Sequence, residues 1–331
     1  MAHIAQPLGS REESWRRILG AGFALAVLAT FLNIANPGRV PAIQNFILVF
    51  SSLLIEAMPF ILLGALVSAF IEVFVPGRVF DRLGALSPRL QLPASALAGF
   101  AFPVCECGSV PVARRLAQKG LAPGAAVTFM LAAPILNPVV IISTVIAYRG
   151  RDIFWPMVLG RTGLGLVAAL AVGWVVSSKT KGELLRPRAD ADEHQHEKTR
   201  PGSFFSHLSG DFIFMARYLV LGATVAAAMQ TFVPQDVIAS VADTPFLSLI
   251  AMMALAFVLS LCSESDAFVA ASFVQFGVGS QLAFLVFGPL VDTKLAFLYT
   301  GTFTKGFFRT VVLVVGAVTF AGTLWIEVLL G

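Results

Sequence analysis

The chain has 331 residues, 57% of them hydrophobic and only 13% charged, with a net charge of +4 and a mean hydropathy of +0.84. Soluble domains carry about 25% charged residues, so this composition excludes most soluble enzymology and predicts an all-α integral membrane protein. The basic residues sit in short loops between apolar runs, which argues for membrane orientation rather than nucleic-acid binding, and three cysteines in apolar segments cannot form a closed disulfide framework.

The opening MAHIAQPLGSREESWRR is polar, and the run 18–34 lacks a small-residue cleavage site after it, so it reads as a retained first helix. Further apolar blocks cover 43–75, 92–112, 122–147, 153–176, 212–233, 246–276, 281–302 and 307–330. These nine blocks predict a polytopic bundle of about seven full spans plus two re-entrant segments, or eight to nine spans. The division expected is an N-terminal segment with the first helix (1–42), a first membrane repeat (43–176), a hydrophilic linker (177–210) and a second repeat (211–331). Lys and Arg near helix ends stay in the cytoplasm. Arg11, Arg16 and Arg17, then Arg78, Arg82 and Arg89, then Arg114, Arg115 and Lys119 all fall on that side if the third block turns back near 103–111. The linker, with six basic residues, is then cytoplasmic, and 234–245, with Asp236 and Asp243 but no base, is external; Arg149 and Arg151 remain exceptions.

Two halves of the chain resemble one another. Residues 60–76 match 218–234 at an offset of 158; Cys107 falls on Cys262, and Ala133-Pro-Ile-Leu-Asn137 on Gly288-Pro-Leu-Val-Asp292, at 155. Under the re-entrant topology the copies are inverted, an architecture of secondary transporters.

Four places inside the apolar blocks break the helical pattern: Phe102-Pro-Val-Cys-Glu-Cys-Gly-Ser-Val-Pro111, Ala132-Ala-Pro-Ile-Leu-Asn-Pro138, Leu261-Cys-Ser-Glu-Ser-Asp-Ala267 and Gly288-Pro-Leu-Val-Asp-Thr-Lys294. Irregular backbone at membrane depth is tolerated only where protein or a water-filled cavity satisfies it. Acids within spans cost at least about 2.5–3.5 kcal/mol each on insertion scales, so Glu106, Glu264, Asp266 and Asp292 are expected at one interior centre. Cys105, Cys107 and Cys262 add thiols, which select zinc, copper(I) or trivalent arsenic. The expected substrate site is Cys105, Glu106, Cys107, Asn137, Cys262, Glu264, Asp266 and Asp292, with Cys105, Cys107, Cys262, Glu264 and Asp266 as the metal set. Half-helix N-termini near Gly108, Pro138 and Ala267 would stabilise thiolate or bound anion. Metal binding needs deprotonated thiols, which makes exchange against protons the natural coupling.

Other residues carry blander alternatives. Asn137 either ligates or bonds backbone freed by Pro134 and Pro138. Lys294 either neutralises Asp292 or takes part in the transport cycle, and Glu56, Glu72 and Arg161 are expected in helix–helix pairs or at the interface. The run Asp190-Ala-Asp-Glu-His-Gln-His-Glu197 reads as a solvated charged loop.

The stretch Phe102-Pro-Val-Cys-Glu-Cys-Gly-Ser-Val-Pro-Val-Ala-Arg-Arg-Leu116, followed by Ala125-Ala-Val-Thr-Phe-Met-Leu-Ala-Ala-Pro-Ile-Leu-Asn-Pro138, resembles the predicted-permease family that includes the arsenic permease ArsP. The likeness runs from about Asn45 to the C-terminus. It implies a bacterial inner-membrane permease and, for the arsenic branch, export of trivalent organoarsenicals through cysteines. The Cys-Glu-Cys form and Ser263-Glu-Ser-Asp266 look closer to the uncharacterised permease branch, which leaves the substrate open.

The reading is therefore a non-enzymatic permease for a soft metal or metalloid ion, working outward from the lipid bilayer's inner face. No G-x-x-x-x-G-K-[ST] motif is present, so the energy comes from an ion gradient or a partner subunit, and no cofactor is expected. The alternative is a membrane thiol–disulfide electron carrier using Cys107 and Cys262, against which four clustered acids argue. A channel for small sulfur anions is a third possibility, which the acids would repel.

Overall fold

A computed structural model describes residues 41–75, 88–102, 104–186, 201–232 and 245–330. The expected first helix at 18–34, the 190–197 run and the 234–245 loop lie outside them. Residues 41–48 belong to a first unit and 49–331 form a second. The described residues are helical, without a strand, as composition predicts; one isolated bridge joins Leu185 to Phe303.

The elements are α1 (Pro41–Phe74), α2 (Pro88–Ala101), α3 (Glu106–Gln118), α4 (Pro123–Leu136), α5 (Pro138–Tyr148), α6 (Phe154–Val176), α7 (Lys181–Leu184), α8 (Pro201–Phe232), α9 (Pro245–Leu259), α10 (Asp266–Ser272), α11 (Val278–Phe287), α12 (Thr293–Thr302) and α13 (Lys305–Leu330). Many open on proline, whose missing N–H costs nothing in a first turn. By length and composition five stretches can cross a membrane: Pro41–Phe74, Pro123–Tyr148, Phe154–Val176, Phe204–Thr231 and Gly306–Leu329. The second of these is interrupted at Asn137, and Leu90–Phe100, Phe246–Leu259 and Val278–Phe287 are shorter apolar helices. The chain is thus a multi-pass helical membrane protein.

The repeat seen in the sequence is a repeat of elements. A long helix, a short helix, a break, a half-helix, a buried helix, a second break, another half-helix and a long helix occur as α1 to α6 and again as α8 to α13. The breaks fall at 102 and 104–105 and at Asn137 in the first copy and at 260–265 and 288–292 in the second. Pro111 and Pro134 lie inside α3 and α4 rather than at the breaks, which precede each half-helix.

Glycines at matching positions make close crossings, Gly64 against the first half-helix of its copy and Gly222 against the second of its own. A Cβ on Gly64 of α1 would lie 2.4 Å from Gly108 Cα, and one on Gly222 of α8 would lie 2.8 Å from Lys294 Cα. Each long helix therefore presses its backbone against the first turn of a half-helix. Gly124 at the start of α4 would meet Gly173 O and Ser177 Oγ of α6, and Gly279 at the start of α11 would meet Thr323 O and Glu327 of α13. Lipid offers no hydrophobic force between helices, so such close small-residue contacts are what holds them. Buried helices α4 and α11 occupy the interior, with Gly124–Leu136 and Gly279–Phe287 sequestered on every side.

Helices of opposite copies also meet crosswise: α3 packs on α12, and its counterpart α10 packs on α5. The core made by Cys105, Cys107, Met130, Leu131, Leu290, Val291, Tyr299 and Phe303 draws on both copies. The sequence between the copies is not wholly free. Helix α8 begins at Pro201, inside the stretch expected as linker, and Leu184 is fully buried. Residues 183–186 bind α12 and its exit through Arg186 N to Thr302 O (3.1 Å), Thr304 N to Leu184 O (3.0 Å) and Thr304 Oγ1 to Glu183 O (2.9 Å).

Candidate functional site

The centre is built from helix starts. A helix leaves its first N–H groups without intrahelical acceptors, and polar residues at the breaks supply them. Asn137 caps α5 by accepting from Val139 N at 3.0 Å, and its repeat counterpart Asp292 caps α12 by accepting from Leu295 N at 2.6 Å. Asn137 thus serves the backbone, the simpler of its two expected roles. The expected helix starts near Gly108, Pro138 and Ala267 are found at Glu106, Pro138 and Asp266.

The start of α3 places Cys105 at the N-cap with Glu106 and Cys107 in the first turn, all three buried. Cys105 lies within electrostatic range of Cys107, Glu106 and Cys262. Cys262 comes from the break between α9 and α10 and is buried within electrostatic range of Lys294, Glu106, Glu56 and Cys107. All three cysteines are free thiols.

Lys294, in the first turn of α12, is 1% exposed. Its Nζ lies 3.8 Å from Asp292 Oδ2 and 4.0 Å from Glu106 Oε1. Both of those carboxylate oxygens are buried and accept no hydrogen bond. The expected neutralisation of Asp292 by Lys294 is present, and Glu106 shares it.

Ser263 joins this cluster to a second one. Its hydroxyl donates to Glu106 Oε2 at 2.9 Å and stands 3.4 Å from Glu264 Oε2, while its carbonyl accepts from Arg161 at 2.9 Å. Arg161, on α6 and 2% exposed, also donates to Asp266 Oδ2 at 2.8 Å and Thr144 Oγ1 at 2.9 Å. Its expected helix pairing is therefore an ion pair between the two copies. Glu56 of α1 likewise crosses between copies, accepting from Ser265 Oγ at 2.9 Å.

The sequence-predicted residues are thus distributed over two clusters. Glu106 and Asp292 stand beside Lys294, with Cys107 and Cys262 within electrostatic range of it and Cys105 next to Glu106 in the chain; Asp266 is engaged by Arg161, with Glu264 beside Ser263. Among the described residues no three His, Cys, Asp or Glu side chains stand in an arrangement that would hold a metal ion. The metal set read from the sequence, Cys105, Cys107, Cys262, Glu264 and Asp266, is not closed in this conformation, because Asp266 is held by a guanidinium and Glu264 turns toward the hydroxyl of Ser263. Around the centre lie five carboxyl groups (Glu56, Glu106, Glu264, Asp266, Asp292) and two basic side chains (Arg161, Lys294).

Two serines were not singled out by residue type. Ser263 is the bridge just described. Ser260 ends α9 with φ +48° and accepts from Thr293 N at 3.0 Å, tying one break to the start of α12. A non-glycine residue held in the left-handed region is costly and is retained where surrounding structure enforces it. No pattern of spacing marks either serine, since a hydroxyl in a membrane helix commonly bonds its own preceding turn.

Far ends of the same half-helices are fixed by charge. Arg115 pairs with Asp211 (3.3 Å) and Glu72 (3.6 Å), and Lys119 Nζ lies 3.8 Å from Glu72. This is the helix pairing expected for Glu72. Arg114 donates to Thr302 O and Arg186 O, each at 3.2 Å.

A family profile described as "Predicted permease" (ArsP_1) matches residues 42–328. The "UPF0718 protein YcgR" of Bacillus subtilis (strain 168) is 41% identical over 288 residues, covering 84% of this chain and 96% of that protein. A "Putative two-component membrane permease complex subunit" of Streptococcus mutans serotype c (strain ATCC 700610 / UA159) is 34% identical over 265 residues, covering 78% of this chain and 87% of its own. No solved structure matches the chain.

Proposed function

The chain belongs to the predicted-permease family, and from that premise we propose that it is a secondary transporter exporting a soft metal or metalloid ion, such as zinc or a trivalent arsenic species. The observation that carries this reading is the meeting of three free, buried thiols with Glu106 and Asp292, each retaining a carboxylate oxygen without a hydrogen-bond donor. Thiolate and carboxylate together suit a soft or borderline cation. Protons released from the thiols on binding, and returned on release, couple transport to a proton gradient. Glu264, which shares the Ser263 hydroxyl with Glu106, and Asp266, held by the Arg161 that binds the Ser263 carbonyl, complete the ligand set or carry protons when the breaks rearrange.

In this reading the two copies are inverted in the bacterial inner membrane, with the N-terminus and linker cytoplasmic. The matching order of elements in the two copies supports it, since alternating access is commonly a rocking of one repeat against the other around broken helices. The protein acts as a carrier rather than an enzyme. A second subunit completes the working unit, as the name of the streptococcal relative, a permease complex subunit, suggests.

The test is equilibrium binding of zinc, copper(I), arsenite and methylarsenite to reduced, detergent-purified protein, beside a variant with Cys105, Cys107 and Cys262 replaced by serine. Roughly stoichiometric binding lost in the variant is the expected result and names the substrate class. Equal binding, or none, by both proteins overturns the thiol site and moves the weight to the thiol–disulfide carrier.

A further inference from the structure

We propose that Lys294 is a tethered counter-cation that holds the place of a cationic substrate at the centre and must be displaced for that substrate to bind. The inference rests on the transporter reading above and adds how its site is guarded.

Lys294 enters the centre from the first turn of α12, whose backbone is fixed independently of the side chain. Asp292 caps the helix, Thr293 N is bonded to Ser260, and the Lys294 Cα is pressed by Gly222. The ammonium stands 3.8 Å from Asp292 Oδ2 and 4.0 Å from Glu106 Oε1. Charge-assisted contacts close to about 2.7–2.9 Å when a pair is optimised, so Lys294 compensates both carboxylates without closing on either. The two facing oxygens have no hydrogen-bond donor although each is buried. They are acceptors supplied with positive charge but left uncoordinated.

The repeat gives the comparison. Position 294 corresponds to position 139, one residue after the start of α5, and Val139 is 52% exposed on the outside of its helix. Asn137 at the matching cap is neutral where Asp292 is charged. One copy of the motif therefore has neither the acid nor the cation, while the other has both beside Glu106 and the thiols. A packing role for a long side chain would not require this combination. A cation entering between Glu106 and Asp292 meets the like charge of an ammonium that already stands 4.0 and 3.8 Å from the two oxygens, a repulsion that weakens its binding, and the flexible stem of lysine lets the ammonium withdraw.

The experiment measures zinc(II) binding at fixed pH to the purified full chain and to Lys294→Met, Lys294→Gln and Lys294→Arg, with the triple-serine variant as reference. Removing the charge should tighten zinc binding by at least about tenfold in Lys294→Met and Lys294→Gln, while Lys294→Arg stays near the unmodified protein. Methylarsenite, taken up as a neutral acid, should show no such gain. Unchanged or weaker zinc binding in both neutral variants overturns the proposal, weaker binding meaning that Lys294 stabilises the thiolates instead. Zinc binding by none of the proteins also overturns it, whereas the parent reading then stands or falls on thiol-dependent copper(I) or methylarsenite binding. Two neutral variants of different shape keep the test decisive should one fail to fold, as judged by gel filtration.

Discussion

Neutralising Arg161 tests whether the ion pair between copies holds the centre together. Its guanidinium lies 2.8 Å from Asp266 Oδ2, and the two side chains are 2% and 5% exposed. At that distance and an effective dielectric of about 20, two unit charges attract by about 6 kcal/mol. Desolvation offsets most of this gain in the intact protein, but breaking one half of a buried pair typically costs about 3–5 kcal/mol because the other charge is left uncompensated. Arg161→Met also removes the donor to Ser263 O and Thr144 Oγ1. Thr144 keeps its own bond to Val140 O, so the larger loss falls on the break that carries Cys262. Equilibrium unfolding in mixed micelles, followed by tryptophan fluorescence, should show Arg161→Met destabilised by about 3–5 kcal/mol. The double variant Arg161→Met with Asp266→Asn should be less destabilised than Arg161→Met alone, with a coupling of about 2 kcal/mol or more, because no buried charge remains. A single-variant loss below about 1 kcal/mol, or strictly additive losses, would refute the reasoning.

The close helix contacts make a second prediction. Gly64→Ala and Gly222→Ala each drive a Cβ against backbone at 2.4 and 2.8 Å, and overpacking of this kind should lower stability by about 1–3 kcal/mol. Gly163→Ala on α6, with nothing within 4 Å, should be neutral or gain up to about 1 kcal/mol from helix propensity; equal behaviour of all three in the same unfolding assay would contradict the packing account. A third concerns the strap at 183–186. Arg114→Ala removes the donor to Thr302 O and Arg186 O, a loss of about 1.5–3 kcal/mol for each charged hydrogen bond, so the amides of Arg186 and Thr304 should exchange with deuterium at least about tenfold faster. Unaltered exchange at both amides would show that the strap does not depend on Arg114.

Much of this protein is written in local sequence, because lipid imposes a simple rule: a long apolar run must be helical, and any departure from helix inside it must be covered. Apolar length alone gave the membrane class, and the Pro, Gly, Cys and acid clusters marked all four breaks. The repeat was legible because its anchors, Gly64 with Gly222, Cys107 with Cys262 and Asn137 with Asp292, sit where backbone geometry restricts the choice of residue. Those positions prove to be a close helix crossing, the approach to a half-helix start and a helix cap.

Tertiary structure decided which polar groups meet. Spacing shows that Glu106 and Ser263 each lie at a break, but only the crosswise packing of α3 on α12 and α10 on α5 brings break against break. The assignment of Asp266 to Arg161 rather than to the thiol cluster follows from the face of α6 that turns inward, which no count of acids reveals. A serine hydroxyl or a lysine ammonium has no preferred partner in sequence, since its bond is made with whatever the fold places a few ångströms away. The sequence therefore determined where the chain must break and what chemistry gathers there, and the packing of two copies against one another determined which charge answers which.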